Sequence, residues 1–423
     1  MSKKDEYISI KITRIILTIA GFWDGENKKE KIILKFCKIY SLQAIIGAII
    51  TQAMEVTISL GSLSDITYWL CAGLPLSLVI IKFSLYFYKR HKLIALIRYT
   101  KKHIWFKIYN KYDREIMDAS NKEAMYSIGA FIITLYFTIM LYTFVPIIEN
   151  IGQSEEDRKF PFNGISKFLD SDAKKSPKFE ITYVIQVLPL LHTGILVCCF
   201  DNLFYLLSSF LVGQFKILQR RLKIICDSLN LNSEKNSQEL RDKLKELIEY
   251  HKSLTIYISK MEDIFSFHLF FLIFVATVMI CVTGIQVFLV SVYIKNISYK
   301  NKYLISPITL HMIIQIETSY IKGMLFKFHL SCSLLQTYIT TYNGNNIITE
   351  SNQVAYSAYE MLWYCIPFDK HGKSIRQAVG TIIMRSQRSC YISAGGFFPV
   401  SLASFMSVMS TTVSYFTLLR QFL

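Results

Sequence analysis

ITYVIQVLPLLHTGILVCCFDNLFYLLSSFL, residues 181–211, is the stretch of sequence that decides the fold class. This run contains a single formally charged residue, Asp201, and it exceeds the about 20 apolar residues that a helix needs to cross a bilayer. The whole chain is 52% hydrophobic and only 18% charged, whereas a soluble domain usually has about 25% charged residues. The sequence therefore predicts an all-α, polytopic membrane protein.

Six further apolar runs lie on either side of this one. The seven predicted transmembrane helices cover residues 36–60, 66–88, 126–148, 181–211, 264–294, 303–330 and 394–421. Beyond the fourth, the segment 239–254 places Leu240, Leu244 and Leu247 on one face and charged residues opposite them, which is typical of an amphipathic helix. The fourth, fifth and sixth helices are therefore predicted to have long cytosolic extensions that form a helical bundle.

The distribution of basic residues predicts the orientation of these spans. Of the 47 Lys and Arg residues, 32 lie in four segments between or before the spans, namely 1–32, 89–125, 212–262 and 331–390. Only 9 lie in the three alternate segments, 61–65, 149–180 and 295–302. Positive residues mark the cytosolic side, so the N-terminus is predicted to be cytosolic and the C-terminus extracellular. The glycosylation sequon at Asn296 then lies outside the cell.

The last predicted span carries a polar stripe. On a wheel of about 100° per residue, a sector roughly 100° wide contains Ser404, Ser407, Thr411, Ser414, Leu418, Gln421 and Phe422. Two interpretations stay open. Small hydroxyl residues pack helices together in membranes, or the stripe faces a water-filled pore in which Leu418 and Phe422 form an apolar constriction. The second interpretation requires several subunits, because one helix cannot enclose a pore.

Ionisable residues inside spans are functional candidates by default, and Glu55, Lys82, Asp201 and Glu317 are in this class. Lys82 and Asp201 lie toward the cytosolic ends of their predicted helices. A structural ion pair, or snorkelling toward the headgroups, is the favoured interpretation for these two.

Signals for other functional classes are absent from the sequence. There is no G-x-S-x-G, H-E-x-x-H or Walker motif, so neither enzyme activity nor a cofactor is predicted. No His/Cys cluster has metal-ligand spacing, and no metal site is expected. The net charge of +16 is not arranged as a basic stripe with interleaved aromatics, so nucleic-acid binding is not predicted.

Four C-terminal segments resemble the signature of insect odorant receptors. They are VAYSAYEMLWY (354–364), RSQ (385–387), AGGFFPVSLASF (394–405) and SYFTLLR (414–420), and the ending is similar to that of hymenopteran members. The chain lacks the long cytosolic insertion between the fourth and fifth helices that marks the odorant co-receptor. The resemblance therefore indicates a ligand-tuned subunit.

The resemblance implies an odorant-gated, non-selective cation channel in olfactory signal transduction. Such a subunit assembles with the odorant co-receptor into a heterotetramer in the plasma membrane of the olfactory neuron dendrite. The last helix lines the pore for permeating cations, and the gate and pore positions of the family align with Leu418, Gln421 and Phe422. Thr411 and Ser414 continue the same wall.

The resemblance also implies an odorant pocket in the outer half of the membrane, between the second, third, fourth and sixth spans. A small volatile hydrophobic ligand is expected there. Outer-half residues selected as candidates are Leu76, Val79, Leu135, Tyr136, Ile139, Met140, Tyr183, Gln186, Val187, His311, Met312 and Gln315. For each of them, plain packing between helices is an open alternative.

The expected organisation has three parts. Residues 1–330 comprise the first six transmembrane helices with the odorant pocket and cytosolic extensions, 331–390 form cytosolic anchor helices, and 391–423 form the pore-lining seventh helix. Two other functions stay open. One is a gustatory-type homomeric ligand-gated channel of the same superfamily, and the other is a metabotropic seven-helix receptor.

Overall fold

The structure is a computed structural model that describes residues 6–25, 27–59, 63–168, 171–225, 234–300, 309–361, 363, 366 and 370–420. The described chain is almost entirely helical, which confirms the predicted all-α fold. The α-helices are α1 (Ile8–Ile19), α2 (Lys28–Ser59), α3 (Leu63–Thr100), α4 (Lys111–Glu149), α5 (Lys178–Ile224), α6 (Glu234–Lys300), α7 (Thr309–Glu360), α8 (Lys370–Ser386) and α9 (Leu402–Arg420). The seven predicted spans fall on α2 to α7 and on α9.

Short elements join these helices. A π-helical turn, Lys101–Trp105, follows α3, and three 3₁₀ turns lie between α4 and α5 at Glu155–Asp157, Asn163–Lys167 and Ser171–Lys174. Strands β1 (Ser393–Ala394) and β2 (Phe398–Pro399) form an antiparallel hairpin before α9.

Five helices are long and apolar enough to cross a membrane. Their candidate spans lie within Lys28–Thr57, Asp65–Trp105, Lys111–Glu149, Lys178–Ile224 and Gln238–Ile294, and Leu402–Leu418 is a shorter apolar helix. The 47 residues of α5, 67 of α6 and 52 of α7 far exceed the about 20 that a bilayer needs. The prediction that these three helices are longer than a bilayer is thick is confirmed. The 38-residue α3 and 39-residue α4 are extended as well, which was not predicted, because their polar halves carry no apolar run.

Helix α5 is the centre of the molecule. Every residue from Leu196 to Phe215 is buried, since α1, α4, α6 and α7 all pack around this part of the helix. The apolar run that decided the fold class is therefore a fully surrounded core helix, and its all-round hydrophobicity follows from that position.

Asp201 lies within this core and joins four helices. Its carboxylate accepts hydrogen bonds from Lys82 Nζ on α3 at 3.0 Å, and from Gln336 Nε2 on α7 at 2.7 Å. His268 Nε2 on α6 lies 2.8 Å from the second oxygen. Lys82 also donates to the carbonyl oxygen of Val197. Lys82, Asp201 and His268 are each 1% exposed, so the predicted structural ion pair is confirmed.

The seventh helix begins later than the sequence indicated. The span predicted at 394–421 includes the β-hairpin, and α9 starts only at Leu402. Gly395 and Gly396 adopt positive φ angles of 63° and 82°, which L-residues with a side chain rarely adopt, so a tight turn forms there. The prediction was wrong at this end because an apolar run of the right length does not reveal a turn inside it.

Candidate ligand cavity and pore helix

A cavity of about 100 Å³ lies between α2, α3, α4, α5 and α7. This free volume is comparable to apolar cavities that hold a molecule of benzene size. The lining residues are Ala48, Thr51, Gln52, Cys71, Ala72, Pro75, Leu76, Leu135, Thr138, Ile139, Tyr142, Phe162, Gln186, Pro189, Leu190, Thr193, Gly194, Val197 and His329. Small residues and prolines on the facing helices keep this space open, because their short side chains leave a gap between backbones.

The loop between α4 and α5 closes one end of the cavity. Phe162 from this loop lines the cavity, and its backbone N–H donates to Gln186 Oε1 at 3.0 Å while its carbonyl accepts from Gln186 Nε2 at 3.3 Å. The next turn is held by Glu55, whose carboxylate accepts from the N–H of Gly164 at 2.5 Å. The packing there is close, since a Cβ on Gly164 would lie 2.4 Å from the backbone nitrogen of Glu55. Hydrogen bonds and close packing thus hold the loop against one end of the cavity.

The lining is electrically neutral. None of the described lining residues is Lys, Arg, Asp or Glu, and a charged group there would lose its hydration without a counterion. Across the described residues, no group of three or more His, Cys, Asp or Glu side chains is placed to hold a metal ion. A cavity of this kind accepts an uncharged, mainly apolar molecule.

Four predicted pocket residues line the cavity, namely Leu76, Leu135, Ile139 and Gln186. Five others do not line it. Val79 and Tyr183 are buried elsewhere in the helix packing, Tyr136 and Val187 are half-buried, and the side chain of Met140 is 42% exposed. His311, Met312 and Gln315 belong to α7, but their side chains lie outside the described residues, as does that of Asn296 on α6. No ligand contact is tested by this placement, so these assignments stay predictions.

Fifteen of the 19 lining residues were missing from the predicted set, and three of them show why. Tyr142 follows Leu135 and Ile139 at helical spacing, so one more turn on the same face leads to it. His329 lies roughly five turns further along α7 than His311, and an error in the estimated depth of the weakest span explains its omission. Phe162 belongs to a loop, where helical periodicity gives no signal.

Among the described residues, helix α9 packs against the rest of the chain through one face. The carbonyl oxygen of Thr412 lies 3.7 Å from Cys281 Sγ on α6, Phe405 lies 5.7 Å from the ring of Tyr338 on α7, and Phe416 packs beside Gly284. On a wheel of about 100° per residue, these contacts centre roughly opposite the polar stripe.

Four of the five described residues of the stripe are exposed, and the fifth, Ser404, is partly buried. Ser407, Thr411, Ser414 and Leu418 all face away from the rest of the chain, and Leu418 is 51% exposed. The hydroxyls of Thr411 and Ser414 donate to the backbone carbonyls of Ser407 and Ser410 at 2.9 and 3.0 Å, so the stripe is polar while its helix stays intact. Gln421 and Phe422 lie outside the described residues.

Several relatives with curated names are insect odorant receptors. Odorant receptor 13a of Drosophila melanogaster is 26% identical over 295 residues, which cover 67% of this chain and 63% of that protein. Odorant receptor 10 of Aedes albopictus is 27% identical over 254 residues, which cover 59% of this chain and 57% of that protein. Odorant receptor 82a of Drosophila melanogaster is 23% identical over 421 residues and 96% of each chain. The chain thus matches less than two thirds of the length of the first two relatives.

The fold is similar to that of the insect olfactory receptor OR5 from Machilis hrabei. Its structure in complex with eugenol matches with a TM-score of 0.73 and 16% sequence identity, and the match covers 98% of both chains. A second structure of that receptor gives a TM-score of 0.71. At this level of identity the likeness concerns the fold alone.

A model of one protein family covers most of the chain. The family described as 7tm Odorant receptor matches residues 63–306 and 303–413, a region that contains α3 to α8 and most of α9. The proteins of this family are transmembrane receptors of olfaction, and they are receptors or channels rather than enzymes. The chain therefore belongs to the 7tm odorant receptor family.

Proposed function

We propose that the chain is the ligand-tuned subunit of an odorant-gated, non-selective cation channel that assembles with the odorant co-receptor into a heterotetramer. The observation that carries the proposal is the orientation of α9. Its hydroxyl stripe points away from the rest of the chain, and a polar helix face in a membrane is more stable against water or another subunit than against lipid. A shared aqueous pore provides both.

In this proposal α2 to α7 and α9 are the seven spans, with the N-terminus cytosolic and the C-terminus extracellular. The excess of Lys and Arg in the segments on one side supports this orientation. Residues 1–330 hold the ligand cavity and the inner extensions, 331–390 form the cytosolic anchor, and 391–423 hold the pore helix. Helix α7 runs unbroken past residue 330, so the anchor is a continuation of the same helix. The channel belongs in the plasma membrane of the olfactory neuron dendrite, and Asn296 is an extracellular glycosylation site.

The pore wall consists of Thr411 and Ser414, followed by Leu418, Gln421 and Phe422. Hydroxyl groups that already bond to their own helix offer a neutral, hydrated surface to passing cations. Bulky apolar side chains near the outer end close the pore by excluding water. Gln421 adds a neutral polar group beside that constriction.

The odorant occupies the cavity between α2, α3, α4, α5 and α7. Its neutral, mainly apolar lining supports a small volatile ligand held mostly by dispersion. The structural relative OR5 from Machilis hrabei was solved in complex with eugenol, which supports a ligand of this size class in the shared fold. The proposed ligand contacts that the sequence also predicted are Leu76, Leu135, Ile139 and Gln186.

The test is an electrophysiological recording of cells that express this chain with and without an odorant co-receptor. We expect odorant-evoked, non-selective cation currents only when both subunits are present. The currents should persist in excised patches washed free of nucleotides, since the ligand opens the pore directly. Equal currents without the co-receptor would contradict the heteromer and favour a homomeric channel, while loss of current on washing would favour a metabotropic receptor.

A further inference from the structure

Three buried polar atoms in the cavity wall make no hydrogen bond within the described part of the chain. They are Gln52 Oε1 on α2, the Tyr142 hydroxyl on α4 and His329 Nδ1 on α7. Tyr142 and His329 stand edge to face, with ring centroids 5.8 Å apart and planes at 86°. The two aromatic side chains are therefore in direct contact within the wall.

The other polar side chains of the wall are already engaged. The hydroxyls of Thr51, Thr138 and Thr193 each donate to the carbonyl of the residue four positions earlier at 2.8 Å. Gln186 binds both polar atoms of the Phe162 backbone. The unpartnered atoms are thus a distinct set and not a general property of the lining.

Such atoms are uncommon elsewhere in the described chain. Fourteen buried side-chain nitrogen and oxygen atoms are without a partner there, and three of them belong to residues that line this cavity. Buried polar groups are nearly always hydrogen-bonded, because an unpaired one is costly. Three such atoms on residues that line one space of ligand size point to a ligand that supplies the missing bonds.

We propose that the cavity selects a small, uncharged molecule that carries a hydroxyl group, an alcohol or a phenol. Gln52 Oε1 only accepts hydrogen bonds, whereas the Tyr142 hydroxyl both donates and accepts, and His329 Nδ1 does one or the other according to its tautomer. A ligand hydroxyl donates to Gln52 or His329 and accepts from Tyr142. An ether, ester or ketone only accepts, so it leaves Gln52 unpaired, and a hydrocarbon leaves all three unpaired.

A carboxylic acid is excluded by the same wall. Its anion would enter a site in which the described lining contains no Lys or Arg, and an unpaired buried charge is far more costly than an unpaired hydroxyl. The ligand is therefore neutral, with an apolar frame against Leu76, Leu135 and Ile139.

This inference rests on the proposed function only in that the ligand is the odorant, so binding and current are measured separately. The complex of this chain with the co-receptor is purified in detergent. Its affinity is determined from ligand-dependent thermal stabilisation for two carbon frames, phenylethyl and hexyl. Each frame is tested as the alcohol, its methyl ether, the hydrocarbon of matched size and the carboxylic acid. Currents are recorded with the same compounds.

We expect at least one alcohol to bind roughly tenfold more tightly than its own ether and hydrocarbon, with the acid weakest. Tyr142→Phe should lower alcohol affinity about tenfold and leave hydrocarbon affinity unchanged. If Tyr142→Phe does not fold, Gln52→Leu on α2 tests the same site and should likewise lower alcohol affinity without changing hydrocarbon affinity. Tyr257→Phe is the matched control, because Tyr257 is buried, its hydroxyl already bonds to that of Thr100 at 2.7 Å, and it lies outside the cavity wall.

The outcomes separate the two proposals. Selective binding of alcohols without any evoked current supports the hydroxyl site and contradicts the channel. Evoked currents with equal affinity for alcohol, ether and hydrocarbon support the channel and overturn the hydroxyl site. Absence of alcohol binding in both frames, or selectivity that survives both Tyr142→Phe and Gln52→Leu, also overturns it.

Discussion

Lys82 and Asp201 form a buried ion pair that stabilises the fold only while both charges are present. The two groups are joined at 3.0 Å with almost no exposure, and Asp201 also binds His268 and Gln336. We predict that Lys82→Met destabilises the protein by roughly 3–5 kcal/mol, because it leaves a buried carboxylate without its cation. Lys82→Met/Asp201→Asn should recover part of that loss. The measurement is the thermal unfolding midpoint in detergent.

The exposed pair Lys175–Asp172 provides the control for that measurement. Its atoms are 2.8 Å apart, yet the side chains are 58% and 53% exposed. Water screens such a pair, so Lys175→Met should leave the midpoint unchanged. A Lys82→Met midpoint equal to that of Lys175→Met would show that the buried pair contributes nothing.

His251, on the part of α6 that precedes its predicted span, leads to a prediction of pH-dependent stability. Burial, with a smaller effect of the positive charge of Arg385, lowers the pKa of His251 from 6.5 to about 4. His251 is protonated below about pH 6.5 in the unfolded chain, but only below about pH 4 in the folded chain. The contribution of neutral His251 to the free energy of unfolding is therefore fully present above about pH 6.5 and is lost as the pH falls from about 6.5 to about 4. The full loss is about 3 kcal/mol.

The prediction compares how the unfolding midpoints of His251→Gln and His91→Gln depend on pH. The unfolding midpoint of His251→Gln should fall less between pH 7.5 and pH 5 than that of the unchanged protein. His91, which is exposed on α3, supplies the control, and His91→Gln should keep the original pH dependence. Identical pH profiles for all three proteins would contradict a buried, neutral His251.

At the scale of single elements, apolar runs predicted the helices well and turns poorly. The run 181–211 identified α5, because a fully surrounded core helix is apolar on every side. The Gly395–Gly396 turn was not predicted, since it lies within a stretch that is apolar enough to be a span. The hairpin depends on tertiary contacts, among them the Gly395 N–H that donates to the Ser266 carbonyl at 2.9 Å.

The candidate cavity was predicted in part for a related reason. Helical spacing groups Leu135 with Ile139, and the structure places both in the lining. Helical spacing does not give the rotation of each helix about its axis relative to its neighbours. Val79 and Met140 were therefore selected, although neither lines the cavity. Phe162 reaches the cavity through the path of a loop, which no periodicity encodes.

The polar stripe of α9 leads to a prediction about the gate. Leu418→Ala should raise the current that flows without odorant severalfold, because a smaller side chain weakens the apolar constriction that excludes water. Phe422→Ala should act in the same direction, while Gln421→Arg should reduce cation flux by placing positive charge in the pore. The measurement is basal current and ion selectivity in cells that also express the co-receptor.

Val413→Ala is the matched control for these pore variants. Val413 is 61% exposed on the same helix, but on the wheel it lies outside the stripe. Its replacement should leave basal current unchanged. If Leu418→Ala and Val413→Ala behave alike, the stripe does not line the pore.

At the scale of the whole molecule, α7 contacts both the candidate cavity and helix α9 among the described residues. His329 lines the cavity, and Tyr338, about 14 Å further along the helix axis, packs its ring against Phe405 of α9 at 5.7 Å. A rigid helix that a ligand displaces at His329 therefore moves the contact with α9. The described lining contains no residue of α6, so α7 is the direct connection among the described residues.

Tyr338→Ala separates binding from opening if this connection carries the signal. The variant keeps the whole cavity lining, so ligand-dependent thermal stabilisation should be unchanged. It removes an aromatic contact worth about 1 kcal/mol, so the odorant concentration for half-maximal current should rise about fivefold. Tyr356→Ala is the control on the same helix, because Tyr356 is 65% exposed and lies beyond the contact with Phe405. A Tyr338→Ala channel with unaltered odorant sensitivity would show that α7 does not transmit through this ring, and the contact between α6 and Thr412 of α9 would then be the remaining route.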